Sequence, residues 1–194
     1  MNSNFRIFLS VLTLVIVTTT IFYLQTRKPE YLGGDFKITS TKGKYNLRQD
    51  RGKIVIVYFG YRYCPDVCPT TLSDLAFIKN KLTPPEQDLL QVIFISLDPI
   101  RDTIPVLDEY VNFFHSTFIG ATSSREKLDH IANLYGVKYK IHKPKDKDQT
   151  SYTVDHSAEA FIVGKDGQLK DIIPYGEDVN ISIKNIKLYM GEKI

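Results

Sequence analysis

This 194-residue chain contains no tryptophan and only two cysteines, and its net charge is only +3. Two cysteines exclude a framework of several disulfides and are too few for a four-ligand structural zinc site built on thiolates. Such a mild charge, without arginines interleaved among aromatic residues, gives no support for a nucleic-acid-binding surface. Tyrosine and phenylalanine are plentiful, with 12 and 11 residues, and this suits an aromatic core in a mixed α/β domain.

The N-terminus lacks the features of a cleaved leader. Residues 7–24 are uncharged and apolar, with Arg6 before them and Arg27 and Lys28 after them. As a helix they would span about 27 Å, close to the ~30 Å hydrocarbon core of a bilayer. No small-x-small cleavage site or lipobox cysteine follows, and no long Arg/Ser-rich presequence precedes them. The sequence therefore predicts one uncleaved transmembrane helix within a membrane anchor over residues 1–28 of a bacterial protein.

The rest of the chain predicts a linker over residues 29–34 and a single domain over residues 35–194. Strands alternate with helices, and a hairpin and a helix end the domain, which is typical of an α/β sandwich of the thioredoxin type. A small N-terminal β-hairpin is expected around Gly43. Strands are predicted at residues 35–39, 44–47, 53–59, 91–97, 118–121, 137–141, 159–163 and 169–173, and helices after Cys68 and at residues 104–114, 124–135 and 179–190.

Both cysteines lie in one short segment, CPDVCP at residues 64–69, between a predicted strand and a predicted helix. Functional residues concentrate in such turns. Because proline disfavours the α region for the residue before it, Cys64 and Cys68 are both expected to be extended. Proline also favours the first helical position, which predicts Cys68 as the helix N-cap. A thiolate is favoured at that position by the helix dipole, whereas the charge of Asp66 opposes it.

Three kinds of site fit two cysteines with three residues between them: a metal site, a redox dithiol and a structural disulfide. Thioredoxin-like redox motifs have two intervening residues. The third residue widens the loop and lets both sulfurs face one point. Two thiolates with one imidazole suit a soft ion that accepts low coordination, such as Cu(I). The spacing favours a metal site and leaves the other two alternatives open.

His156 is the candidate for a third ligand, because it lies directly before the predicted strand at 159–163. A lone histidine is more often a surface or core residue than a ligand, so its position alone does not assign the role. The positions of the other histidines do not point to a ligand role. His115 lies at the end of a predicted helix, His130 lies inside one, and His142 lies in the lysine-rich stretch 138–148. That stretch is expected to be a solvated loop, or else a docking loop near the metal.

Three segments resemble, in order, the motifs of the Sco/SenC family of copper-delivery proteins. They are YFGYRYCPDVCPTTL at residues 58–72, SLDPIRDT at residues 96–103 and VDHS at residues 154–157. The resemblance implies a thioredoxin-like domain in which Cys64, Cys68 and His156 bind copper, with Cu(I) and Cu(II) as the alternative ions. It implies that the domain lies on the outer face of a cytoplasmic or inner mitochondrial membrane. Because no presequence precedes the apolar residues, a single-pass protein of the bacterial inner membrane is expected, with its domain in the periplasm. The resemblance also implies a partner, subunit II of cytochrome c oxidase.

The leading hypothesis is therefore a membrane-anchored copper chaperone, not an enzyme, that helps deliver copper to the dinuclear centre of that subunit. The alternative is a thiol-disulfide reductase that keeps the cysteines of the subunit reduced through the redox pair Cys64 and Cys68. The two hypotheses differ in His156, which dithiol exchange does not require. A thiol peroxidase is a weaker third idea, since no Thr-x-x-Cys arrangement surrounds Cys64.

Three acidic residues lie near the motifs without being expected as ligands. Asp98 follows a predicted strand and is expected at the same sheet edge as Cys64. Asp102 is predicted as a helix N-cap, with Pro105 in the first turn. Asp155 is expected to orient the neighbouring imidazole or neutralise charge there, or else to serve only as a turn residue at the entry of a strand.

Overall fold

The computed structural model describes residues 12–20, 33–142 and 152–191. The chain divides into two units, Met1–Tyr31 and Leu32–Ile194. In the first unit, residues 12–20 are helical (α1). Within the described ranges, no helix combines the length and the apolar character needed to cross a bilayer. Half of the predicted span 7–24 lies outside the described residues, and so does most of the linker 29–34 and of the lysine-rich stretch. The anchor therefore stays a prediction.

The second unit combines strands and helices in one layered domain. Its strands are β1 (Lys37–Ser40), β2 (Gly43–Asn46), β3 (Ile54–Gly60), β4 (Leu90–Ser96), β5 (Ile119–Thr122), β6 (Tyr139–Ile141), β7 (Val154–His156), β8 (Ala160–Val163) and β9 (Leu169–Ile173). Its helices are α2 (Val67–Lys81), α3 (Pro84–Asp88), α4 (Ile104–Phe114), α5 (Arg125–Leu134) and α6 (Val179–Met190), with a short 3-10 helix at Leu47–Asp50.

The strands form a seven-stranded sheet in the order β2-β1-β5-β4-β3-β8-β9 and a separate two-stranded ribbon, β6-β7. Strands β3, β4 and β5 are parallel. The hairpin β1–β2 joins β5 antiparallel, and the hairpin β8–β9 joins β3 antiparallel. This confirms the predicted α/β sandwich with its N-terminal hairpin.

Strand β3 is buried along its whole length because both faces of the sheet are covered. Ile56 and Tyr58 face a cluster that includes residues of α2, α4 and α6. On the opposite face, the ring of Phe59 lies 5.7 Å from that of Tyr135 and 6.0 Å from that of Phe161. Burying each large side chain stabilises the fold by about 1.5–3 kcal/mol. The carboxyl end of β3, where the cysteine segment begins, is therefore firmly held by the core.

Helix α2 begins earlier than the sequence predicts. It starts at Val67 with Asp66 as its N-cap, so Cys68 lies in the first helical turn, and its prediction as an extended N-cap residue was wrong. The first turn of a helix has no intrahelical acceptors for its N–H groups, so Pro69 sacrifices no hydrogen bond there. The backbone N–H of Thr70 donates to the carbonyl of Asp66 over 3.1 Å.

Helix α4 has Thr103, not Asp102, as its N-cap, while Pro105 lies in the first turn as predicted. Asp102 is fully buried and accepts hydrogen bonds from elsewhere in the chain. Three elements were not predicted: the short strand β7, helix α3 and the 3-10 helix at Leu47–Asp50. The capping box of α3, formed by Thr83 and Glu86, was a visible signal for that helix.

Candidate metal centre

The cysteine segment is held between the end of β3 and the first turn of α2. The N–H of Cys64 donates to the carbonyl of Tyr61 over 3.2 Å, which closes a turn directly after the strand. Cys68 is fully buried, whereas Cys64 is half-buried. A Cβ atom on Gly60 would lie 2.6 Å from Sγ of Cys68 and 2.8 Å from Cε2 of Phe94. Only glycine therefore lets the sulfur approach the strand so closely, a role that sequence reasoning did not assign to Gly60.

His156 is brought to the sulfurs by the ribbon. It is the last residue of β7 and pairs with Tyr139 of β6. Its Nδ1 lies 2.7 Å from the carbonyl oxygen of Ser157. A carbonyl can only accept, so Nδ1 is the nitrogen that donates there, and Nε2 is the ring nitrogen directed toward the sulfurs. Nε2 lies 3.4 Å from Sγ of Cys68, and the ring of Tyr61 stands edge-on at 6.0 Å.

The structure thus brings together Cys64, Cys68 and His156, which sequence reasoning nominated as ligands. Their two Sγ atoms and one imidazole nitrogen lie within 4.8 Å of one another. One ion can contact all three atoms at this separation. Two sulfurs and a nitrogen form a donor set that suits a soft ion such as Cu(I).

The two thiols have opposite electrostatic environments. The pKa of Cys64 is lowered to about 5, first by the hydrogen bond that it accepts from Cys68, then by the backbone N–H groups of Cys68 and Asp66, and least by His156. The pKa of Cys68 is raised, because its thiol donates that hydrogen bond and because it is buried. The metal-free centre therefore holds one thiolate and one thiol at neutral pH. The thiolate is favoured at Cys64 in the loop, while the cysteine in the helix keeps its proton.

Asp102 fixes the start of the cysteine segment without reaching the ligands. Its Oδ2 accepts hydrogen bonds from Oγ of Ser96 at 2.5 Å and from the backbone N–H of Arg62 at 2.9 Å. Burial is the largest cause of its raised pKa. These contacts tie the segment after β3 to the segment after β4, the edge where polar groups of a parallel sheet gather.

Asp98 is also buried and is linked to the segment that carries the histidine. It accepts hydrogen bonds from Nε of Arg101 and from the hydroxyl of Tyr152, both over 2.5 Å. Sequence reasoning placed Asp98 at the correct edge but missed Arg101 and Tyr152. The motif SLDPIRDT was the available signal for Arg101, whereas Tyr152 had none.

Asp155 neither orients His156 nor lies at a turn, so these two expectations for it were wrong. It lies inside β7, not at a turn, and its Oδ2 lies 2.5 Å from Nε2 of His142 on the exposed side of the ribbon. Successive side chains of a strand point to opposite faces, so neighbours such as Asp155 and His156 diverge.

Fold and site together define a thioredoxin-like α/β protein with a Cys-Cys-His candidate metal centre. Residues 24–191 match the SCO1/SenC family, and the chain belongs to this family.

The chain is 35% identical to the mitochondrial SCO2 homologue of Mus musculus over 160 residues, which cover 81% of this chain and 62% of that protein. It is 34% identical to a SCO2-like protein of Rickettsia conorii over 139 residues, covering 71% and 66% of the two chains. It spans about half to two thirds of the length of the curated relatives that it matches. The crystal structure of Arabidopsis thaliana ScoI with copper bound is similar, with a TM-score of 0.74 and 31% identity, covering 84% of this chain and 99% of that one.

Proposed function

We propose that this protein binds copper through Cys64, Cys68 and His156 and acts as a copper chaperone in the assembly of cytochrome c oxidase. The observation that carries the proposal is the convergence of two sulfurs and Nε2 within 4.8 Å. Support comes from membership of the SCO1/SenC family and from the copper bound to the similar ScoI of Arabidopsis thaliana.

The chemistry of the three side chains suits a protein that passes copper to a partner rather than one that stores it. Three ligands leave the ion accessible from the side of the half-buried Cys64 and His156, where the ligands of a partner can attack it. Cys64 offers a thiolate at neutral pH, because its pKa is about 5. Cys68 must lose its proton when copper binds and regain it when copper leaves. Delivery is then a ligand exchange coupled to one proton at Cys68.

The proposed recipient is the dinuclear copper centre of oxidase subunit II, and the proposed location is the periplasmic face of a bacterial inner membrane. The uncharged residues 7–24 would anchor the protein there as a single transmembrane helix. The similarity to a SCO2-like protein of a bacterium, Rickettsia conorii, supports a bacterial setting.

Copper titration of the purified, reduced full-length chain tests the proposal. We expect one Cu(I) per chain, with transfer to a purified copper-free subunit II domain. Cys64→Ser should abolish stoichiometric binding, because a three-ligand site loses a thiolate. His130→Ala is the matched control, since His130 lies exposed on α5. Full copper binding by the Cys64→Ser variant would place the ligands elsewhere.

The alternative function, a thiol-disulfide reductase, is favoured by one observation. A thiolate at Cys64 next to a protonated, buried Cys68 is the asymmetry that a dithiol needs to attack a disulfide and then resolve the intermediate. Oxidase assembly in cells that carry only His156→Ala separates the two functions. Loss of assembly with dithiol exchange preserved supports copper handling, whereas normal assembly at limiting copper supports the reductase.

A further inference from the structure

The ribbon that carries His156 is separate from the main sheet. Among the described residues, β6 and β7 pair only with each other. The ribbon is closed internally by the N–H of Ser157, which donates to the carbonyl of Lys138 over 3.0 Å, and by the N–H of His142, which donates to Thr153 over 2.9 Å. These bonds shape the ribbon but do not determine its distance from the cysteines. That distance depends on contacts between the ribbon and the rest of the domain.

Arg101, together with Asp98, forms one such contact, at the N-terminal entry of β7. Nη1 of Arg101 donates to the carbonyl of Tyr152 over 2.9 Å, and the guanidinium lies 3.6 Å from the centre of the Tyr152 ring. The hydroxyl of Tyr152 donates to Oδ1 of Asp98, whose other oxygen binds Arg101. Only 8% of the Arg101 side chain and none of the Asp98 side chain are exposed, so the ion pair is shielded from water.

The same guanidinium reaches the cysteine side of the centre. It lies 4.6 Å from the ring centre of Tyr63 and 5.9 Å from that of Tyr61. Tyr61 in turn stands edge-on against the ring of His156. Arg101 therefore packs between the loop that holds Cys64 and the segment that leads into β7.

Arg125 forms a second contact, on the other strand of the ribbon. Its Nη1 donates to the carbonyl of Leu97 over 2.7 Å and to the hydroxyl of Tyr139 over 3.2 Å. Tyr139 is the residue opposite His156 in the ribbon. Both arginines thus connect the segment directly after β4 to the ribbon, one through Tyr152 and one through Tyr139.

We propose that Arg101 and Arg125 are positioning residues of the metal centre, which hold the ribbon so that Nε2 of His156 stays within reach of Sγ of Cys68. Neither arginine contacts the ligand atoms, so both act through the ribbon. Outer residues that orient metal ligands typically change metal affinity by about 10–100-fold. Cu(II) depends more on the imidazole than Cu(I) does, because Cu(I) accepts two thiolates alone. Releasing the ribbon should therefore weaken Cu(II) binding more than Cu(I) binding.

A double-mutant cycle on the full-length chain tests this inference, which rests on the proposed copper site. Replacing Arg101 alone would leave the buried Asp98 uncompensated, so the charges are removed together as Asp98→Asn with Arg101→Gln. Tyr152→Phe, which deletes one hydroxyl, and Arg125→Gln are milder variants. Arg48→Gln is the matched control, because the Arg48 side chain is 71% exposed and pairs with Asp35. Each change is made with His156 present and in the His156→Ala background.

We expect the paired substitution to weaken Cu(II) binding about tenfold or more when His156 is present and to cause no further loss in the His156→Ala background. The milder variants should follow in the same direction, and Arg48→Gln should have no effect. An equal loss in both backgrounds, or no loss when His156 is present, would overturn the proposal. An equal loss would show that the substitutions act on the stability of the whole domain. No loss would show that they do not affect the position of the imidazole.

Hydrogen exchange on the metal-free chain gives a second measurement that needs no copper. The amide N–H groups of His142 and Ser157 should exchange faster in the variants, while those of β3 and β4 keep their protection. Unchanged exchange in the ribbon would contradict the proposal. If the wild-type chain binds no copper, the proposed function fails, whereas this comparison still decides whether the arginines hold the ribbon.

Discussion

The two halves of the candidate metal centre are built on different kinds of support. The sulfur half lies between a fully buried strand and a helix of the main core, and Cys68 itself has no exposed surface. The imidazole half lies on a two-stranded ribbon outside the main sheet and is held through arginine side chains. The difference indicates that the thiols are prearranged by folding, while the position of the imidazole can change without loss of the core.

The largest contrast between the halves is expected for Cu(I) affinity. Cys68→Ser should reduce it by several orders of magnitude, because a hydroxyl does not replace a soft thiolate. His156→Ala should reduce it much less, by about tenfold, since two thiolates still hold Cu(I). Competition with a Cu(I) chelator of known affinity measures both losses. Equal losses would show that the imidazole is as essential to Cu(I) as the sulfurs, and the two halves would then not be separable.

The two halves also differ in how much of them could be predicted from the sequence. The buried runs at β3 and β4, the helix after Cys68 and the terminal hairpin follow from hydrophobic pattern, and all were confirmed. The three candidate ligands were nominated by motif resemblance and are brought together as expected. The ribbon could not be predicted in full, because β7 has three residues and its pairing with β6 is non-local. The roles of Arg101 and Tyr152 depend on that pairing and were missed for the same reason.

The start of α2 and the environment of Asp155 show a second limit of prediction from the sequence. Proline preferences predicted Cys68 as an N-cap, but the first turn of a helix accepts proline at more than one position. Asp155 was expected beside the imidazole because it is adjacent in sequence, yet adjacency in a strand places side chains on opposite faces. In both cases a local preference was taken to decide where a residue lies in its helix or strand.

A second prediction concerns the thiolate of the sulfur half. In the metal-free, reduced chain, alkylation of Cys64 by iodoacetamide should rise as pH rises through about 5 and then level off, because its pKa is about 5. Cys68 should remain nearly unreactive, since it is buried and its pKa is raised. Mass spectrometry of the modified peptides between pH 4 and pH 9 measures both rates.

The same measurement sharpens the comparison of the halves. Cys68→Ala should move the midpoint for Cys64 toward the ordinary thiol value of about 8.5, because Cys68 is the largest cause of the lowered pKa. His156→Ala should move it little. Because its pKa is lowered by folding, the Cys64 thiolate stabilises the folded state. This stabilisation is complete above about pH 8.5 and is lost as pH falls through about 5. A larger shift for His156→Ala than for Cys68→Ala would contradict the assignment.

A third prediction tests the close approach of Cys68 to β3. Gly60→Ala places a Cβ atom 2.6 Å from Sγ of Cys68 and 2.8 Å from the ring of Phe94, both in the packed core. Overpacking of this kind lowers the free energy of unfolding by about 1–3 kcal/mol, measured by urea denaturation. Gly164→Ala is the matched control, because its nearest neighbour is the flexible side chain of Lys170. Equal effects of the two substitutions would mean that Gly60 has no special role in packing the sulfur.

The smallest effect is expected for Asp155→Asn, although this residue is the direct neighbour of His156. Its side chain is 73% exposed and pairs with His142 on the outer face of the ribbon, while His156 faces the sulfurs. Exposed ion pairs contribute about 0–1 kcal/mol, so stability should hardly change. Cu(II) affinity should equal that of wild type, whereas Tyr152→Phe, four residues from the histidine, should weaken it. If Asp155→Asn instead weakened Cu(II) binding about tenfold, the position of the imidazole would depend on the outer face of the ribbon rather than on its arginine contacts.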